Sequence, residues 1–478
     1  MRRAITAAGG LILLATALVV APATPAVAAP TVTVDVFEDT FDGSCDDGDC
    51  SLRDAVAAVD PGGTVRVPPG FYSLTLIGGG PNAGDVDLVR PMRIVGTGET
   101  GTFLDATDLG DRIFDITANV TLHHLALLSG TSAGAGGLVR VPSGSLAINR
   151  STLVFGSAQN GGAIAVGANG ALTIARSLVS ANQASGRGGG LYARGPATIA
   201  RSTFAQDVAA EGGAVFVSAQ TTASLADSTL SGNRADSGGA IHARGAVEVS
   251  SSTVAANRAD AGGGVWTATG LLVTVENSVF DGNRAAAGRL CARPLSSGGH
   301  NAADVFGCGL NGPGDVAGVD PMLGGLRQNG GPTPTHALAE GSPAIGRGVA
   351  CHWLDQRGAP RNDCDSGAYE LVRCLGRPVT MVGTPGDDEL SGGLGRDVFL
   401  GLGGDDEFQG SLNEDRACGG PGDDHLIGGP ERDRLAGGAG HDELHGEGGD
   451  DALDGGRGSD ECLGGPGTDA FRRCEAIS

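Results

Sequence analysis

The chain has 478 residues, of which 85 are Gly and only 18 are Phe, Tyr or Trp. That ratio argues against one ordinary globular core, and the lack of a Gly-X-Y triplet period excludes collagen. All 32 basic residues are Arg, which excludes Schiff-base, P-loop and lysine-base chemistry, and the net charge of −23 disfavours nucleic acid and anionic membranes and favours cations.

Residues 1–28 read as a secretory signal peptide. Arg2 and Arg3 form a basic start, Leu11 to Val20 a short apolar run, and Ala26-Val27-Ala28 a small-residue cleavage site with cleavage after Ala28. The apolar run is too short to span a bilayer, and no second run of spanning length follows. The expected location is secreted and extracellular, with cell-surface association an option. Ten cysteines suit disulfides in that compartment.

Residues 29–119 read as an N-terminal cap and first coils, and residues 120–287 as a repeat array. Six Gly-Gly pairs start at Gly136, Gly161, Gly188, Gly212, Gly238 and Gly262, spaced 25, 27, 24, 26 and 24 residues apart. A period near 25 is too short for a βαβ unit. Short alternating segments such as Leu172-Thr173-Ile174 and Val247-Glu248-Val249 instead predict one coil of a parallel β-solenoid per period. Three aliphatic columns then point inward: Leu122, Ile148, Ile174, Ile199, Leu225, Val249, Val275; Leu127, Leu153, Val179, Phe204, Leu230, Val254, Phe280; and Val139, Ile164, Leu191, Val215, Ile241, Val265. They define a three-sided prism with a dry centre. Gly156, Asn182, Asp207, Asn233, Asn257 and Asn283 keep the same beat. They read as a ladder in a tight bend, where Asn tolerates left-handed backbone and its amide bonds from coil to coil.

Both flanks carry recognisable motifs. Cys50-Ser51-Leu52-Arg53-Asp54-Ala55-Val56 resembles the CSLREA signature of secreted right-handed β-helix proteins. Asp320-Pro321-Met322-Leu323-Gly324, Asn329-Gly330-Gly331-Pro332-Thr333, Asp355-Gln356-Arg357-Gly358 and Cys364-Asp365-Ser366-Gly367-Ala368-Tyr369-Glu370 resemble the choice-of-anchor Q domain. This resemblance covers roughly residues 31 to 373. It implies an all-β, right-handed parallel β-helix of the pectate-lyase-like kind, closed by residues 288–373. It implies no established activity.

Residues 374–478 hold a second, sharper repeat. From Gly383 to Arg472 the chain divides into ten gapless nonapeptides, each with Asp at the sixth position: Asp388, Asp397, Asp406, Asp415, Asp424, Asp433, Asp442, Asp451, Asp460 and Asp469. The eighth position is apolar, with Ala417 and Cys462 the exceptions in size. The pattern matches the G-G-x-G-x-D-x-U-x rule of the repeats-in-toxin family, a calcium-binding parallel β-roll. The resemblance makes Ca²⁺ the cofactor and the ten aspartates its ligands. This stretch holds 22 acidic residues against 6 Arg, a net −16 of the chain's −23. Stacked without cations these carboxylates would repel, so the array is expected to fold on calcium. Two repeats make one turn in this family. One edge keeps Gly at position four throughout, whereas the other reads Gly395, Asn413, Glu431, Gly449, Gly467. An unbroken calcium ladder is therefore expected on the first edge and an interrupted one on the second.

Proximity pairs Cys45 with Cys50, Cys291 with Cys308, Cys351 with Cys364 and Cys462 with Cys474, leaving Cys374 for Cys418. A zinc site is not expected, because no Cys-x-x-Cys occurs and the histidines, His441 and His445 included, lack metal-binding spacing. Alternation places Tyr192, Phe216, His242 and Trp266 outside on four successive coils as an exposed stripe, beside the outer column of Arg150, Arg176 and Arg201. Together they outline a groove for an acidic or neutral polysaccharide or cell-surface glycan, the alternative being rings stacked on one another and solvated arginines. The expected role is calcium binding with surface interaction, adhesion or glycan binding, and no catalytic residue is assigned. A calcium-dependent polysaccharide lyase or hydrolase is the alternative, although the lysine base is missing and the fold analogy alone supports it.

Overall fold

The computed structural model describes residues 30–477 apart from 47, 81–82, 98–100 and 272. The signal-peptide assignment lies outside the described residues. Strand follows strand in parallel register, because short runs of alternating aliphatic residues are cut every few positions by Gly, Asn or Ser.

Among the described residues, a 17-stranded sheet wraps two sides of the first solenoid and an 11-stranded sheet forms another. A further, narrower face completes each coil. It begins with Thr131–Ala135, Ser157–Asn160 and Gln183–Arg187, and passes through isolated bridges to Arg258–Ala261 and Arg284–Ala287. The three inward columns are in register from coil to coil, as in Ile164↔Leu191, Ile148↔Ile174 and Leu153↔Val179. Every member is 0–1% exposed, and they join one core running from Val34 to Leu310.

The helix Leu52–Ala58 plugs the N-terminal end. Ser51 and Asp54 form a capping box, and Leu52, Ala55 and Val56 enter the same core. The Arg53 guanidinium is buried against Asp39 at 2.6 Å. These residues therefore start and seal the first coil.

The bend ladder forms as read, with one correction. Asn182, Asn233 and Asn257 donate Nδ2 to the next coil's Asp207, Asn257 and Asn283 at 2.9–3.0 Å. Left-handed backbone, however, belongs to the residue before each one: Phe155, Ala181, Gln206, Ala256, and Gly232 and Gly282. The side-chain amide needs ordinary backbone to aim along the stack, so the strain falls on its neighbour. A second left-handed corner holds His124, Arg150, Arg176, Arg201, Asp227, Ser251 and Asn277, at φ 44–53°. Ser151, Ser177, Ser202, Ser228 and Ser252 follow directly, and each hydroxyl from Ser177 onward accepts the preceding coil's serine N–H.

The chain then doubles back. Gln356 bridges Thr203, Thr229 and Thr333, His336 meets Ser231 at 2.8 Å, and the Ala368 N–H donates to Thr253. The closing region thus covers the outer side of the 11-stranded sheet. Beyond it, two six-stranded parallel sheets form the roll. Their inward residues, Phe399, Phe408, Ala417, Leu426, Leu435, Leu444, Leu453 and Cys462, make a separate core. All five expected disulfides are present, and Cys374–Cys418 ties the entering chain to the roll.

Candidate metal centre and the solenoid faces

Each sixth-position aspartate stands at a roll corner, just before a strand. Its Oδ1 accepts the N–H of the aspartate 18 residues earlier: Asp406 from Asp388, Asp415 from Asp397, and so on to Asp469 from Asp451, at 2.7–3.0 Å. Glu475 takes the same role for the Asp460 N–H at 2.8 Å, ending one edge. Sequence reading missed it because it follows the last repeat.

Among the described residues, the Oδ2 atoms of Asp406, Asp415, Asp424, Asp433, Asp442, Asp451 and Asp460 are buried and have no hydrogen-bond partner. Burial, reinforced by stacked carboxylates, pushes Asp406 and Asp433 up to about 7 and Asp415 and Asp442 up to about 6. A buried, unpaired carboxylate row is costly unless a cation meets it. The glycine opening each repeat makes room for the oxygen. A Cβ on Gly419 or Gly437 would lie 2.1 or 2.2 Å from Oδ2 of Asp424 or Asp442. This donor set fits calcium, a hard cation that takes carboxylate and carbonyl oxygens. Bound there, the ion would neutralise the stacked carboxylates.

The first sites differ. Asp388 and Asp397 turn Oδ2 onto the N–H of Thr384 and Gly393 in their own loops. On the irregular edge Asn413 takes φ 76°, and its N–H donates to the Glu431 carboxylate at 2.9 Å. Glu431 itself stays outside the left-handed region.

The aromatic stripe needs correction. Phe216 and His242 are 1% exposed, and Tyr192 and Trp266 are half-buried. Ring centroids are 5.6 Å apart for Tyr192–Phe216, 5.0 Å for Phe216–His242 and 4.0 Å for His242–Trp266. Arg187 and Arg244 lie over Phe216, and Glu211 joins both guanidinium groups. Burial pushes the His242 imidazole down to about 4. The rings spend their faces on one another, because residues on successive coils stand at stacking distance.

The arginine column lies elsewhere. Arg150 and Arg176 line a cleft of about 420 Å³, where the closing region (Gly331, Arg357) meets the first roll repeat (Thr384, Asp388). No stripe residue lines it, so the two columns do not form one groove. Arg176 is held below its ordinary pKa by burial and by Arg201 and Arg150.

Sequence reading also passed over a histidine cluster. Ligand atoms of His425, Glu443 and His445 all lie within 4.8 Å of one another. Linear spacing hides them, since one 18-residue turn separates His425 from Glu443.

These features define a parallel β-helix joined to a roll of calcium-binding repeats. Residues 382–470 match the RTX calcium-binding nonapeptide repeat in overlapping segments, 382–417, 409–444, 419–453, 427–462 and 437–470. Residues 227–244 match the Chlamydia polymorphic membrane protein repeat. Among solved structures, the crystal structure of pectate lyase Pel9A is similar at 15% identity and TM-score 0.46, covering 72% of this chain and 97% of that one. The PL6 family alginate lyase AlyGC gives 10% identity and TM-score 0.22, covering 88% and 79%. No curated protein matches. Among the described residues no helix is long and apolar enough to cross a membrane.

Proposed function

We propose that this is a secreted calcium-binding β-solenoid of the CSLREA and choice-of-anchor Q kind, whose roll closes on calcium and whose role is adhesion to an acidic glycan. The domain limits at 119, 287 and 373 and cleavage after Ala28 belong to this reading. The seven buried, partnerless aspartate oxygens carry it: the folded roll makes electrostatic sense only with cations along its edges. The roughly millimolar calcium outside cells fills even weak sites, whereas cytosolic levels leave them empty. The interruption at Asn413 and Glu431 makes one edge the better calcium ladder.

The cleft at the helix–roll junction supports the glycan partner. Arg150, Arg176 and Arg201 follow one another on successive coils at one corner, a spacing that suits a chain of carboxylated or sulfated sugars. Calorimetric titration of the full chain should show several calcium ions per molecule. A glycan array in calcium should show acidic glycans whose binding Arg176→Ala removes. A chain that takes up no calcium sinks the first part; glycan binding indifferent to Arg176 sinks the second.

A further inference from the structure

The outward face of one roll sheet carries a column of carboxylates interrupted once. In the strands Glu389–Ser391, Glu407–Gln409, His425–Gly429, Glu443–Glu447 and Glu461–Leu463, the leading outward position reads Glu389, Glu407, His425, Glu443, Glu461. His425 alone breaks this acidic column. It stands in register between Glu407 and Glu443, and its strand neighbour Ile427 pairs with His445. Two imidazoles and a carboxylate therefore meet across adjacent coils.

The local geometry singles this group out. His445 Nε2 is 2.8 Å from Glu443 Oε1, and the His425 and His445 rings meet edge to face at 5.2 Å. His425 Nε2 is covered and has no hydrogen-bond partner. The ladder bonds of the sheet fix all three backbones, while Leu426 and Leu444 anchor the strands from inside. Only side-chain rotation is needed to bring ligand atoms from within 4.8 Å to the separation of about 3.4 Å that tetrahedral bonds of about 2.1 Å demand.

We propose that His425, Glu443 and His445 form a site for a first-row divalent cation, zinc above all, distinct from the calcium ladder. Imidazole nitrogen suits zinc, whereas calcium wants six to eight oxygens. Two His and one Glu with water in the fourth position is a complete zinc set. The flanking Glu407 and Glu461 draw cations to the face. A bound zinc would staple the fifth repeat to the seventh.

The test uses the full chain saturated with calcium, titrated with zinc by calorimetry. One zinc per chain is expected beyond the calcium. His425→Ala and His445→Ala should each weaken it by more than the ~10–100-fold typical of losing an outer-shell partner. His441→Ala, on the exposed loop, should leave it unchanged. Cobalt substituted for zinc should give the intense visible bands of a low-coordinate nitrogen–oxygen site. The proposal needs a folded roll, so each variant's calcium isotherm is recorded and should match the parent's. No stoichiometric zinc uptake with an intact calcium isotherm overturns it, as does zinc uptake equal to the parent's in the His425→Ala, His445→Ala double variant.

Discussion

If cations hold the roll closed by neutralising buried carboxylates, protons should substitute for them. The perturbation is a chelator at two pH values. Asp406 and Asp433 rise from 3.8 to about 7, Asp415 and Asp442 to about 6, and Asp424 and Asp451 rise as well, with burial the leading cause for each. A folded calcium-free roll therefore binds protons that the unfolded chain does not. Its stability is fully present below the unfolded value near 4 and is lost as pH climbs through 6 to 7. At face value a lift from 3.8 to about 7 is about 4 kcal/mol per carboxyl. The corners border exposed residues such as Asp405 and Asp423, so screening reduces this to about 1 kcal/mol each. Four such groups give about 4 kcal/mol, a large share of the 5–15 kcal/mol that holds a domain together.

Hydrogen exchange on the full chain in chelator localises the effect. Amides of residues 383–472 should be protected near pH 4.5, after correction for intrinsic rate, and lose protection near pH 8. Calcium at pH 8 should restore it, since each site at a hundredfold excess over its Kd adds about 2.7 kcal/mol. Groups that favour higher pH, Asp54 and Glu211 with lowered values, lie in the β-helix and report there. Equal protection of the roll at both pH values in chelator would refute the electrostatic argument.

Three other outcomes follow from named contacts. Asp207 occupies an amide's place in the Asn ladder, fully buried, with Oδ2 unpartnered and its pKa raised by burial. Asp207→Asn restores the missing donor and should stabilise the β-helix by about 1–3 kcal/mol, more at pH 8 than at pH 6, read as a higher Tm; a lower Tm would contradict the ladder. Gly437→Ala places a Cβ 2.2 Å from Asp442 Oδ2 and should weaken calcium binding about tenfold at that edge while leaving the β-helix melt unchanged. Gln356→Ala takes the partner from Thr229 and Thr333, while Thr203 keeps its bond to the Pro334 carbonyl; this costs about 2–4 kcal/mol and should expose residues 329–373 to limited proteolysis.

Periodicity made the stacked architecture legible. The three aliphatic columns, the Asn ladder and the ten aspartates recur at a fixed interval, and each recurrence fixes a direction relative to the axis. What escaped was whatever breaks the beat. Gln356 reaches Thr203 across 153 residues with no repeat to announce it. His425 and His445 are 20 apart, which looks like no metal motif until an 18-residue turn is subtracted. For the aromatic stripe, alternation gives the side of the sheet but not what lies beside each ring; stacking along the column and Arg187 and Arg244 above it decide that.

The two solenoids solve one physical problem differently, and that difference explains why only one of them should depend on calcium. Every coil must turn corners, and stacked corners repeat the same groups at about 4.8 Å. In the β-helix two corner columns, the Asn ladder and the serines, are neutral amides and hydroxyls that donate to and accept from the next coil, so stacking satisfies them. Asp207 is the buried acid of the Asn ladder, and burial raises its pKa. In the roll the corner group is a carboxylate at every repeat. From Asp406 to Asp460 its Oδ1 finds an N–H in the neighbouring coil, but its Oδ2 is buried with no hydrogen-bond partner. An acceptor-only column cannot satisfy itself, so its last ligand must come from solution. The β-helix can then stand in any medium, while the roll reads the cation content of its surroundings.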